Sequence, residues 1–203
     1  KYLLPKVDAV LSMPAVNITQ DSQEIGINVL LRMELLKHSC LLRSPMCENH
    51  VLTLIQNWME NEDRNLIPLD LQPMVYCAGV AAGDKVVWDF IKRIHDRTPP
   101  SEQKMFLFRA LGCTRDIKIL TTFLEESWQP SSTYSALDAL EVTADNPLGN
   151  KIVLQSLKDN FDKIRPLDFV RILSFMSDYW SDPELVTDLN SFVKSHEDLF
   201  KPF

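Results

Sequence analysis

The sequence predicts an all-α protein, an irregular armadillo- or HEAT-like array (an α-solenoid) of about ten helices. Three observations carry that prediction. Apolar residues recur at helical spacing, with little competition from strand alternation. Short polar turns followed by proline keep opening new segments, at Pro45, Pro100, Pro130, Pro147, Pro166 and Pro183. Gly is scarce at 5 and Pro fairly frequent at 12, which suits helices punctuated by prolines better than a turn-rich sheet. No strict sequence repeat is present, so the array is expected to be irregular.

The elements follow in order. "KYLLPKVDAVL" reads as the middle of a helix, so the sequence suggests a fragment of a longer chain. Asp21 with Glu24 three residues on forms a capping box before "IGINVLLRMELL". Ser44-Pro45 opens the next helix, whose one face carries Val51, Ile55, Trp58 and Met59. Val87, Phe90, Ile91 and Ile94 repeat the pattern, and "TPPSEQ" starts a helix bearing Phe106, Leu107, Ala110 and Leu111. Ile117, Leu120, Leu124 and Trp128 make the next stripe. Val153, Leu157, Phe161 and Ile164 follow, then Phe169, Ile172, Leu173 and Met176, then Leu185, Leu189 and Phe192. These stripes are core positions.

At 203 residues the chain is long enough for one good-sized domain, or two small ones, with an ample core. A formal charge of −7 argues against a phosphate-tracking surface, so nucleic acid is not an expected partner. No apolar run approaches the ~18 to 20 residues of a membrane span, and no signal-peptide pattern opens the chain.

The densest local signal is "HSCLLRSPMCENH", residues 38 to 50. Its residues permit a disulfide, free thiols or a metal site. Zinc meets a geometric objection. On a helix through Cys40, His38 and Cys40 point about 200° apart, and Cys47 with His50 at i, i+3 supplies only two ligands. Cys40 leaving one helix and Cys47 entering the next lie within a disulfide's reach. "HEDLF" at His196 has the first half of the zinc motif H-E-x-x-H, but Phe200 stands where the second His is needed. There is no G-x-S-x-G, P-loop or G-x-G-x-x-G. The acidic pairs in "NEDRN" and "LEES" read as solvated helix ends. Asn17-Ile18-Thr19 is a glycosylation sequon in a polar connection.

Three stretches together resemble a known domain. "VYCAGVAAGDKVVWDF" (75–90), "RALGCTRD" (109–116) and "NPLGNKIVLQSLKDNFDKI" (146–164) are similar to the C-terminal helical domain of zinc aminopeptidases of the aminopeptidase N type. That gluzincin metallopeptidase group includes the endoplasmic-reticulum and insulin-regulated aminopeptidases. The resemblance covers nearly all of residues 1–203, read as one domain truncated at both ends. It is weakest over residues 1 to 25 and after Phe175.

The resemblance implies the pairing Cys77–Cys113, with Cys40–Cys47 as the short-range pair, and hence an extracytoplasmic location at a cell surface, in secretion or in the endoplasmic-reticulum lumen. It implies no catalytic or metal residue here, since zinc and its ligands belong to an upstream catalytic domain. The expected role is non-catalytic: to cap that domain's chamber and help accommodate peptide substrates whose N-terminal residues the parent removes. The implied partners are the parent's catalytic domain, peptide substrates and, in the parent, a homodimer mate. The alternative is a helical protein- or peptide-interaction module of a catalytically inactive relative. Arg32, Arg109 and Arg115 are candidate cations for a peptide's C-terminal carboxylate, each equally readable as a surface or capping arginine.

Overall fold

The computed structural model describes residues 27–179 and 182–196, with side chains apart from those of 27–33, 166, 175 and 177–179. The capping box at Asp21 and Glu24, and the sequon at Asn17, lie outside the described residues. Among the described residues there are ten α-helices and no strand. They are α1 (Ile27–Leu41), α2 (Pro45–Glu60), α3 (Gln72–Ala82), α4 (Lys85–Arg97), α5 (Glu102–Leu111), α6 (Ile117–Ser127), α7 (Ala136–Ala144), α8 (Asn150–Asp159), α9 (Pro166–Tyr179) and α10 (Pro183–Ser195). The all-α helical array expected from periodicity is the architecture found.

Helix starts follow side-chain chemistry more than proline. Pro45, Pro166 and Pro183 stand at the first helical position, where a missing N–H costs nothing. Pro100, Pro130 and Pro147 instead sit in the turns before α5, α7 and α8. Ser135 Oγ accepts the Leu137 and Asp138 amides and so starts α7, while Asp84, Asp116 and Asp182 cap α4, α6 and α10 in the same way. The stripe from Val153 to Ile164 is not one helix. Asn160 ends α8, its Nδ2 donating to the Ser156 carbonyl at 3.0 Å, and a 3-10 turn Phe161–Lys163 follows.

The chain forms two compact units, residues 1–110 and 111–203. In the first, α2 packs along α3, α1 contacts both, and α3 contacts α4. Trp58 stacks on Tyr76 with centroids 5.3 Å apart and meets Phe90 edge-on at 5.0 Å. A Cβ at Gly79 would run into the Ile55 side chain, so the small residue lets α3 approach α2. In the second unit α6 contacts α7 and α8, α7 contacts α8 and α9, and α8 contacts α10. There α6 and α7 each pack on their next and next-but-one neighbours, and α8 packs on α10, the stacking of helix pairs expected of such arrays. Phe123, Leu140, Val153, Leu157 and Phe169 are fully buried in this unit. Burial of such side chains is worth about 1.5–3 kcal/mol each.

Candidate functional site

The cysteines come first. α1 runs through Cys40, a short turn follows with Arg43 at φ 56°, and α2 places Cys47 in its first turn. The two are joined in a disulfide with Cα atoms 5.3 Å apart. Cys77 on α3 and Cys113 after α5 are also disulfide-bonded, and no cysteine is free. Among the described residues no group of three His, Cys, Asp or Glu comes together as a metal site.

The candidate arginines stand on separate elements. Arg32 lies on α1 with its side chain outside the described ones. Arg109 is exposed on α5, Arg115 is half-buried in the following turn, and each already engages a neighbour.

A different arginine pair stands out. Glu62, in the turn after α2, accepts from Arg93 Nη1 and Arg97 Nη2, both at 2.5 Å, across 31 and 35 residues. These two hydrogen bonds hold its carboxyl below the usual carboxylate range. The "NEDRN" acids were expected to be solvated helix ends. Glu62 is instead clamped to one face of α4, because positions 93 and 97 are one turn apart. No sequence signal links residues so distant.

Two of the quoted family stretches, 109–116 and 146–164, meet in a polar knot within the second unit. Asn146, 7% exposed, donates from Nδ2 to the carbonyls of Gly112 at 2.7 Å and Thr114 at 2.8 Å. Its Oδ1 accepts the Leu148 amide at 3.0 Å. A Cβ at Gly112 would strike the Val142 carbonyl, and one at Gly149 the Thr143 carbonyl. The motifs "ALGC" and "NPLG" therefore work as a backbone clasp between the α5–α6 turn and the α7–α8 turn.

An open cleft of about 690 Å³ lies between α6 and α8. Trp128 forms a wall, fixed by its Nε1–H donating to Ser156 Oγ at 2.8 Å, and Lys163 Nζ lies 5.8 Å from the indole centroid. Lys151 and Lys163 are balanced there by Glu125 and Asp159, and Gln155 donates to Asp159 at 2.7 Å. The cleft offers stacking and hydrogen bonds, but its lining has no His or Cys to act as base or nucleophile.

Comparison with known proteins fits this picture. The family model described as the ERAP1-like C-terminal domain matches residues 6–202. The chain is 29% identical over 177 residues to thyrotropin-releasing hormone-degrading ectoenzyme of Rattus norvegicus, covering 82% of the chain and 16% of that protein. It is 27% identical to aminopeptidase Q of Acinonyx jubatus, covering 81% and 17%, and 25% identical to aminopeptidase N of Homo sapiens, covering 90% and 20%. The chain thus spans a fifth or less of the length of these relatives.

Proposed function

Since this chain belongs to the family of ERAP1-like C-terminal domains, we propose that it serves as the non-catalytic domain that caps the substrate chamber of a zinc aminopeptidase. The observation that carries this reading is the family match over residues 6–202 of an all-helical array. Enclosure by such a domain excludes bulk water from a charged transition state and restricts entry to a free peptide N-terminus. The zinc, its ligands and the peptidase chemistry belong to the upstream catalytic domain of the parent. Peptide substrates and that catalytic domain are the partners this role requires, and the parent is read as able to pair with a second copy.

The test compares the full-length parent with a version lacking residues 1–203. Removal should impair turnover of longer peptides more than turnover of a small aminoacyl amide reporter, because only longer peptides reach the cap. Equal effects on both substrates would show that the capping idea is wrong.

An extracytoplasmic site follows from the same reading and is supported by the oxidised cysteines. One non-reducing peptide map of the secreted parent checks it. It should find Cys40 linked to Cys47, Cys77 linked to Cys113, and a glycosidase-sensitive mass at Asn17. A free thiol or crossed pairing counts against the location.

A further inference from the structure

The cleft between α6 and α8 lies wholly within the second compact unit, and the role proposed above makes no use of it. Its volume of about 690 Å³ falls in the range of sites that hold small molecules. Leu124, 1% exposed, and half-buried Ile152 supply apolar surface, and Trp128 adds an indole. That ring is tied at Nε1 to Ser156 Oγ at 2.8 Å, so it is a platform set in place before any ligand arrives. Lys163 Nζ borders it, 5.8 Å from the ring centroid and donating to Asn160 Oδ1 at 2.8 Å. Lys163 is a long, exposed chain that a ligand can displace by a change of rotamer.

The polar lining is balanced in charge but not satisfied. Glu125 and Lys151 are both exposed and both line the cleft, and neither makes a hydrogen bond or ion pair among the described residues. Gln155 donates to Asp159 Oδ1 at 2.7 Å, which leaves Gln155 Oε1 and Asp159 Oδ2 as acceptors. Glu125 and Asp159 cancel Lys151 and Lys163 in formal charge, so the cleft selects no net charge. A phosphate or carboxylate ligand would meet the two acids, and a cationic one the two lysines.

A neutral saccharide has the complementary chemistry. The C–H bonds on one face of a pyranose pack against the negative face of an indole. Its hydroxyls each donate and accept, so they can serve a carboxylate and an ammonium alike, and vicinal hydroxyls can engage both oxygens of one carboxylate. An extended peptide offers its backbone groups singly and makes less of that lining. We infer that the α6–α8 cleft is a saccharide-binding site, in which a neutral hexose ring stacks on Trp128 while its hydroxyls bond Glu125 and Lys151. The capping role is not a premise of this inference, since the site needs no catalytic domain.

The probes are the methyl glycosides of mannose, galactose, glucose and N-acetylglucosamine, offered to the full-length parent and followed by saturation-transfer NMR. At least one should bind with a millimolar dissociation constant. Glu125→Ala and Lys151→Ala should each weaken it about tenfold, the loss of one charge-assisted hydrogen bond. Both residues are exposed, so neither variant should shift the melting temperature. Trp128→Ala should abolish binding and Trp128→Phe should retain part of it, which separates the ring's platform from its hydrogen bond to Ser156.

Two arms distinguish the source of the sugar. Binding by the parent both before and after glycosidase treatment assigns the cleft to an external saccharide. Binding only after treatment assigns it to a glycan that the parent itself carries. Absence of transfer to all four glycosides after treatment overturns the inference, and so does binding that survives Glu125→Ala and Lys151→Ala unchanged. A preference for the methyl glycoside of sialic acid contradicts the charge balance and overturns it as well. Transfer to a blocked tetrapeptide that Trp128→Ala abolishes, with no glycoside bound, gives the cleft to peptides instead.

Discussion

His95 shows how much one buried titratable group constrains this chain. It occupies the last turn of α4, 2% exposed, with Nδ1 3.1 Å from Asp96 Oδ1 and its ring beside Phe108. Burial pushes its pKa below 6.5; the Asp96 carboxylate opposes that, while Lys104 and Lys92 reinforce it. His50 is shifted the same way by burial. A histidine with a depressed folded pKa binds its proton more tightly in the unfolded chain. Its contribution to stability is therefore full above the unfolded value of 6.5 and is lost as pH falls below it. The melting temperature should fall between about pH 7.5 and pH 5, and His95→Gln should flatten that dependence. An unchanged slope in the variant would remove His95 from the account. In the sequence this histidine stands between Ile94 and Asp96, and its degree of burial depends on α5, whose Phe108 reaches it from the next helix. A residue's environment is a property of neighbours that periodicity does not identify.

At the scale of elements, the clasp between the α5–α6 and α7–α8 turns is the feature most open to test. Asn146→Ala removes two donors from buried carbonyls, a loss of about 1–3 kcal/mol. Gly149→Ala sets a methyl against the Thr143 carbonyl, which is backbone and cannot rotate aside; overpacking of this kind costs about 1–3 kcal/mol. Gly79→Ala meets only the Ile55 side chain, which has other rotamers, so it should cost less. Urea unfolding of the three variants checks the order. If Gly149→Ala is as stable as the parent sequence, the clasp does not hold the turns as described. Helix existence was legible here because the stripes Val51–Ile55–Trp58 and Val87–Phe90–Ile91–Ile94 bury as their spacing requires. Helices α3 and α7 left a weaker trace. "QPMVYCAGVAA" contains small residues that pack closely without a contrasting polar face, and "ALDALEVTA" spans only 9 residues. The start of α7 was misread for a local reason: Ser135 offers its hydroxyl to two free amides, which Pro130 cannot do.

At the scale of the whole molecule, the family assignment can be tested through zinc. A catalytic zinc of the aminopeptidase kind needs three protein ligands and an open position. The four histidines are His38, His50, His95 and His196, and the four cysteines are all oxidised. The 203-residue chain by itself should take up no stoichiometric zinc and cleave no aminoacyl reporter; metal analysis after dialysis and a fluorogenic assay check both, and robust hydrolysis would contradict the assignment. The sequence by itself determined the all-α class, the helical array and the family, because hydrophobic periodicity and short motifs are local and survive in a single chain. It also marked the residues of "ALGC" and "NPLG" without revealing their purpose. Only the tertiary structure decided that Asn146 reaches Gly112 and Thr114, that Glu62 is held by Arg93 and Arg97, and that Leu41, Leu42 and Met46 face outward beside a buried disulfide. The physical reason is the same in each case. Hydrogen bonds across about thirty residues, and the direction in which a turn projects its side chains, depend on how helices stack, and stacking is a sum over contacts that no single stretch of sequence contains.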